Sequence, residues 1–470
     1  MWGVGQSPTV LTLKGVGVLN VLVAEIGSTT TVVNGFDVLG KRFLGSGVAA
    51  TSVGEGDVRI GLRAAAEDLK RKLGLSEFEY SEMYATSSAA GGLRMTVHGL
   101  VYDMTVRAGR EAALGAGANI HMMTAGVLRE IDLAKIEGIA PNLILLAGGT
   151  DYGERDTALV NAEKLAALRV NSPVIYCGNV QNVEEIAKIF ERAGRKFYIT
   201  ENVYPKLDVL NVEPVRELIY RAFEEHITEA PGMEHIREMV TGAIMPTPGA
   251  VMECARLLYD EMGDVLVLDV GGATTDVHSV TEGSEEISNI QISPEPLAKR
   301  TVEGDLGVYV NAKNMCNMLG LEFLAKETGF AAEKISEILE NYKAIPETDE
   351  QFRLTEALAY QAASLAIKRH AGALRHTYTA AGRRTWAEGK DLSVVKYLAA
   401  TGGALTRLPG RGEIVRKLTE LNVSGNMLYP QPGNLRLLED SGYIMASLGV
   451  LGGQHAELTK SLVKKGLFES

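Results

Sequence analysis

The sequence predicts an α/β protein in which two related lobes face one cleft and a further α/β subdomain is inserted between them. Two observations carry this. An apolar strand that ends in an acid and runs through a small, hydroxyl-rich turn into a returning strand occurs twice, at Glu25-Ile-Gly-Ser-Thr-Thr-Thr31 and at Asp269-Val-Gly-Gly-Ala-Thr-Thr-Asp276. The copies stand roughly a domain apart. Between them, short apolar runs alternate with helical periodicity, the pattern of α/β units around a parallel sheet.

Bulk properties fit this. A chain of 470 residues calls for two to four structural units. With 46% hydrophobic and 23% charged residues it has an ordinary globular mixture. Glycine is in excess, 51 residues or about 11% against a typical ~7%, which suits many tight turns and close backbone approaches to a ligand. The net charge of −12 argues against a nucleic-acid surface, which needs a basic footprint. A nucleotide is not excluded, because backbone N–H groups bind phosphate in acidic proteins too. Cys177, Cys254 and Cys316 lie far apart without metal or disulfide spacing, so a reducing cytoplasm is the expected compartment. No apolar run approaches the ~18 residues that span a bilayer, so no membrane is expected. Residues 1–17 have one lysine and no clear apolar core, unlike a signal peptide. They are expected to be a disordered extension or to follow a start codon assigned too early.

The first hairpin begins with a strand at Leu19–Ala24 and continues through Val32–Asp37 and Gly40–Leu44, with Gly27 and Gly35 as turn residues. Its turn gathers backbone N–H groups and hydroxyls, the donors a polyphosphate accepts. Glu25, at the strand end, stands where Mg²⁺ or its water needs an oxygen. An ordinary polar hairpin reads equally well in isolation. The second hairpin changes that balance. Asp264–Val270 reads as a buried strand, Gly271–Thr274 as the turn and Val277–Val280 as the return, with Asp269 and Asp276 bracketing the turn.

A third element, Tyr397–Leu405, runs a strand into Gly402-Gly403, where a missing side chain lets a base or ribose lie on the backbone. Thr301-Val-Glu-Gly-Asp-Leu-Gly307 is expected to open a helix through Val308–Met318, with Glu303 and Asp305 around Gly304 either as caps or in chemistry. Ser441–Val450 reads as a small-residue helix. Inside the insertion, strands are expected at Leu143–Ala147, Pro173–Tyr176 and Lys196–Thr200, and helices at Thr157–Leu168 and Val183–Ala193. Gly148–Asp151 follows the first of these strands, a turn or a ligand loop. A helical connector is expected within Glu201–His235, and helices at Ala331–Tyr342 and Thr355–His376.

The two hairpins resemble the phosphate-1 and phosphate-2 motifs of the actin-like (sugar kinase/Hsp70/actin) ATPase superfamily, and Thr401–Gly403 resembles its adenosine motif. The segments 303–307 and 441–450 resemble its two connecting helices. The resemblance implies two RNase H-like lobes. Glu25 departs from the aspartate common there, and its longer arm shifts a metal or water by about a methylene. More narrowly, L-V-A-E-I-G-S-T-T-T, Ser87–Arg94, Leu145–Asp151, Gly242–Pro248 and T-V-E-G-D-L-G together resemble the MutL/GlmL-type accessory proteins of adenosylcobalamin-dependent glutamate mutase and related aminomutases. That implies an ATP-driven factor that maintains or reactivates a coenzyme B12 enzyme. The histidines carry no metal spacing and no Asp-x-His-x-x-Gly stretch occurs, so any link to B12 runs through the partner.

The expected site follows. Gly27, Ser28, Thr29 and Thr30 take the β- and γ-phosphates, and Gly271, Gly272, Ala273 and Thr274 the other side of the chain. Gly304, Gly402 and Gly403 complete the nucleotide site. Glu25 and Asp269 serve Mg²⁺ and water, and Glu303 or Asp305 orients the attacking water. ATP and Mg²⁺ are the cofactors, mutase subunits the partners, and a homodimer stays open. Slow Mg-dependent hydrolysis is the expected activity, with a small-molecule kinase using Asp305 as base, or a non-hydrolysing scaffold, as the rivals. The expected division is 1–17 extension, 18–94 first lobe, 95–240 insertion, with partner contacts sought there, and 241–470 second lobe.

Overall fold

In the computed structural model, residues 21–27, 30–75, 80–89, 93–227, 232–379, 382–422 and 426–464 are described. The expectations for residues 1–20, Ser28, Thr29 and 90–92 lie outside them. The chain opens with β1 (Val21–Ile26), β2 (Thr30–Asp37) and β3 (Arg42–Ala50), an antiparallel meander. β1 is buried at all six positions, as a central strand covered on both faces must be, which explains its unbroken apolar run. β4 (Glu82–Ser87) then pairs parallel to β1.

The chain leaves this sheet for the insertion, whose strands are β5 (Arg94–Gly99), β6 (Asn119–Ala125), β7 (Leu143–Leu146), β8 (Val174–Tyr176) and β9 (Phe197–Ile199). All pair in parallel, in the order β6-β5-β7-β8-β9. This is the doubly wound order 2-1-3-4-5. The expected strands and helices of 143–200 are all present. β10 (Ile244–Pro246) returns to pair with β4, completing the order β10-β4-β1-β2-β3.

The second lobe repeats the first. β11 (Val265–Val270), β12 (Thr275–Val280) and β13 (Ala298–Glu303) form a meander, and β16 (Tyr397–Thr401) and β17 (Arg436–Glu439) add in parallel after the β14 (Ala373–Thr379) and β15 (Gly382–Glu388) hairpin. The order β13-β12-β11-β16-β17 is that of the first sheet. Two RNase H-like sheets of equal topology, with an α/β insertion, are therefore present.

Several expectations are corrected. Gly35 is not a turn residue but sits inside β2, paired with Leu22 and Gly45 beside a register shift; the turn to β3 is made at 38–41. Residues 303–307 open no helix. Glu303 ends β13, and the next helix is Ala312–Leu319. The helix that bridges the lobes is instead Thr247–Met262, which packs on β4 and β10 of one sheet and on β11 to β13 of the other. Its partner is the Met445–Leu451 helix, in the segment where the second connecting helix is expected. A Cβ on Gly449 would stand 1.8 Å from the Ala250 carbonyl oxygen, so the two helices cross at backbone contact, the physical reason for small residues there. The Thr355–His376 expectation overran: that helix is Asp349–His370, and Gly372 precedes β14. The 240/241 division does not follow the sheets, since β10 belongs to the first.

One hydrophobic core is shared by the first sheet and the insertion, joining Leu22 and Ala24 to Met95, Val97, Leu145 and Ile175. Another fills the second lobe, and a third lies between the lobes around Ala250 to Leu258 and Leu448.

Candidate nucleotide site

The two hairpins close in the same way. Gly27 N–H donates to the Thr30 carbonyl at 3.0 Å, and Gly271 N–H to the Thr274 carbonyl at 2.9 Å. Glu25 and Asp269 occupy the penultimate position of β1 and β11. Both hairpins open on one cavity of about 300 Å³, at the small end of ligand pockets. Glu25, Gly27, Thr30, Asp269, Gly271, Gly272, Ala273, Thr274 and Gly403 all line it. Residues written in distant places of the chain thus converge through topology alone.

Each turn is braced from behind. Thr51 Oγ1 donates to the Gly27 carbonyl at 2.9 Å. On the other side the segment after β13 clamps the second turn: Tyr309 and Val310 N–H reach the Gly272 carbonyl at 2.9 and 2.8 Å, and Asn311 Nδ2 the Ala273 carbonyl at 2.8 Å. Gly307 is required for this, because a Cβ there would come within 2.3 Å of the Ala273 carbonyl. Gly304 enters only as a second acceptor for Asn311, 2.8 Å away.

Gly402 does not face the cavity as an open platform. It has φ +86°, and a Cβ would stand 2.3 Å from Asp269 Oδ1, so its bare Cα makes room for that carboxylate. Gly403 is the open one of the pair. Glu303 and Asp305 do not line the cavity. Both are held by Arg369, whose Nη1 is 2.5 Å from Glu303 and 2.7 Å from Asp305.

Asp276 does line the cavity and lies opposite Asp269 in the ladder. It accepts from Thr274 Oγ1 at 3.1 Å and from Arg300 Nε at 2.8 Å. Glu25 accepts from the Tyr443 hydroxyl at 2.7 Å, and Arg407 lies 5.5 Å over the Tyr443 ring. Burial pushes Glu25 up to about 7, Asp440 adding to the shift while Tyr443 and Arg407 oppose it. Burial pushes Asp269 up to about 8, with Asp276 and Glu25 adding their negative fields against Arg300. Asp440 is raised by burial as well, although Ile444 N–H, Met445 N–H and Thr401 Oγ1 donate to it.

So the cleft concentrates carboxyl groups with Arg407 as the sole basic lining residue among those described. Such a set is relieved by a cation. Among the described residues no cluster of three or more His, Cys, Asp or Glu could hold a metal. One or two carboxylates plus phosphate and water oxygens is how Mg²⁺ is commonly bound, and Glu25 and Asp269 suit that role. Thr247 lines the same cavity, and its buried hydroxyl has no partner among the described residues.

Sequence reasoning missed Tyr443, Arg407, Thr247 and an apolar wall of Tyr309, Val310 and Ile345. Tyr309 and Val310 follow the 301–307 motif directly and are 40% and 68% exposed. The three cysteines are buried and free. No helix among the described residues is long and apolar enough to cross a membrane.

A family model described as MutL protein matches residues 21–467. The Protein MutL of Clostridium tetanomorphum is 36% identical over 458 residues, covering 95% of this chain and 98% of that protein. Among solved structures, (R)-2-hydroxyglutaryl-CoA dehydratase component A of Acidaminococcus fermentans aligns over 94% of this chain and 99% of that one, at 10% identity and a TM-score of 0.32. A glycerol dehydratase reactivase aligns over 93% and 100%, at 11% identity and a TM-score of 0.33. Likeness at that level leaves the fold resting on the strand orders above.

Proposed function

This chain belongs to the MutL protein family, and from that premise we propose that it is an ATP-binding, slowly ATP-hydrolysing accessory factor that maintains or reactivates an adenosylcobalamin-dependent mutase, glutamate mutase or an aminomutase. The observation that supports this best is the pair of equivalent hairpins, closed by equivalent hydrogen bonds and carrying Glu25 and Asp269 at equivalent positions around one cavity. In this reading the Gly27–Thr30 and Gly271–Thr274 turns hold the phosphates from opposite sides. Glu25 and Asp269 hold Mg²⁺ through its waters, and Tyr309, Val310 and Ile345 cover the base. Mg²⁺, when bound, neutralises charge on the phosphates. Asp276, which lines the cavity and whose Oδ2 is free of Arg300 and accepts from Thr274, takes the place of Glu303 and Asp305, which Arg369 holds outside the cavity, as the candidate for orienting water. Lobes of this kind that close over ATP and open after hydrolysis turn chemistry into a shape change for the partner.

The test is hydrolysis of ATP with Mg²⁺ by the purified chain, alone and with inactivated glutamate mutase, beside Asp269→Ala. Slow turnover lost in Asp269→Ala, with ATP-dependent return of mutase activity, is expected. Turnover with no effect on the mutase removes the partner and keeps the ATPase. Neither binding nor turnover removes both.

A further inference from the structure

Parallel strands share a direction, so the five connections that leave β5 to β9 emerge along one edge of the inserted sheet, the edge at which open α/β sheets meet their ligands. Each of the five exposes a large apolar side chain. Tyr102 follows β5, Val127 follows β6, Tyr152 follows β7, Val180 follows β8 and Leu207 follows β9, with exposures of 51, 49, 79, 48 and 68%. Apolar residues scattered singly over a surface need no explanation, but one in every connection along a single edge does.

The crest is also pre-organised. Asp151 Oδ1 accepts from Val180 N–H at 2.9 Å and from Asn202 Nδ2 at 2.9 Å, and its own N–H donates to the Pro205 carbonyl at 3.0 Å. Tyr152 N–H donates to Asn179 Oδ1 at 3.2 Å. One carboxylate thus ties the connections after β7, β8 and β9 together. Tyr152 is held at φ +62°, a left-handed backbone that aromatic residues seldom adopt, and its ring points to solvent all the same. Rigid aromatic and aliphatic groups fixed in advance are what a binding surface uses to limit the entropy it loses on docking.

We propose that this crest is a protein-docking surface, and that its occupant is a folded protein presenting an apolar patch edged by lysine and arginine. The size argues for a protein. Five strands at ~4.8 Å spacing spread the apolar groups over about 19 Å, the scale of an interface of ~800 Å² a side. The charge argues for a basic rim on the partner and against a second copy of this chain. Exposed residues within 100–103, 126–130, 147–156, 177–181 and 200–209 include six acids, among them Asp103, Glu154 and Asp208, against three bases. A twofold contact would set this acidic rim against itself. The identity of the occupant as the mutase rests on the accessory-factor reading above.

The experiment measures binding of glutamate mutase to the full chain, with ATP and Mg²⁺ present, for wild type, for the double variant Tyr152→Ser/Leu207→Ser, and for Leu39→Ser, an apolar residue 80% exposed elsewhere. Hydrolysis of ATP and sedimentation are followed in parallel. The double variant is expected to lose affinity about 100-fold, the effect of two central interface residues, while its hydrolysis, its sedimentation and the binding by Leu39→Ser stay at the wild-type level. Mutase binding that survives in the double variant overturns the crest alone. A wild-type dimer that the double variant dissociates, with mutase binding intact, assigns the crest to a second copy and overturns the proposal. Wild-type protein that hydrolyses ATP but binds no mutase overturns the occupant together with the reading it rests on.

Discussion

Arg300 holds Asp276 with two of its nitrogens, at 2.8 Å from Nε and 2.5 Å from Nη2, and its remaining Nη1 donates to the Leu114 and Ala118 carbonyls at 3.0 and 3.2 Å. Asp276 lines the cleft, whereas Leu114 and Ala118 lie at the end of the Arg107–Gly115 helix of the insertion. A single buried guanidinium therefore touches both the candidate cleft and the inserted subdomain.

Removing that guanidinium leaves Asp276 buried without its cation. Arg300→Met is expected to cost roughly 3–5 kcal/mol in chemical denaturation, and Arg300→Met/Asp276→Asn clearly less than the sum of the single changes. Additive losses would mean that the two residues act independently. Amide exchange adds a second measure: ATP is expected to slow exchange across 107–118 in wild type and to lose that effect in Arg300→Met.

Glu25 and Asp269 have folded pKa values of about 7 and about 8, above their ordinary values of 4.5 and 3.8. Raised carboxyls bind protons more tightly in the folded protein, so their contribution favours the ligand-free fold at acid pH and is lost as pH climbs from about 4 to about 8. Asp269→Asn is accordingly expected to raise the unfolding midpoint of the ligand-free protein at pH 8 by ~2 °C or more, and by less at pH 5. Calorimetry that shows the same gain at both pH values would remove the titration argument.

Affinity for Mg-nucleotide should move the other way. Ionised carboxylates favour the cation, so binding is expected to tighten from pH 6 to pH 9 in wild type. Tyr443→Phe takes away the hydroxyl that stabilises ionised Glu25 and should shift that rise to higher pH. Isothermal titration at four or five pH values decides this; an unshifted curve would mean that Tyr443 does not set the charge of Glu25.

Gly402→Ala combines a left-handed backbone with a methyl group aimed at Asp269 Oδ1. The backbone alone costs roughly 1–2 kcal/mol, and the displaced carboxylate should reduce ATP turnover at least tenfold. Gly403→Ala, with open space around it, should do neither. Equal effects of the two changes would contradict the assignment of Gly402 to Asp269.

What was legible in the sequence was whatever the chain writes locally. Each hairpin is contiguous, and an acid followed by small hydroxyl residues after an apolar run states both the strand and its turn. The alternation within 143–200 likewise announces a parallel sheet. The errors came where one local signal had two readings. Glycine marks either a turn or an irregular strand pair, and at Gly35 the β2–β3 pairing prevailed. Acids beside Gly304 look like a helix start, yet the backbone that follows, at 308–310, is committed to bracing the Gly271 and Gly272 carbonyls. Tyr443 and Arg407 could not be read at all, because nothing nearby distinguishes them; Glu25 lies 418 positions from its hydroxyl donor.

The shared core of the first sheet and the insertion has a mechanical consequence. Residues from Leu22 to Ile175 pack as one body, so the insertion is fixed to the first lobe and the crest belongs to the same body. Any rotation of that lobe about the cleft displaces each point in proportion to its distance from the axis. A turn of the first lobe would therefore carry Tyr152 with it, and Arg300, which reaches from β13 to the Leu114 and Ala118 carbonyls, ties that body to the second lobe.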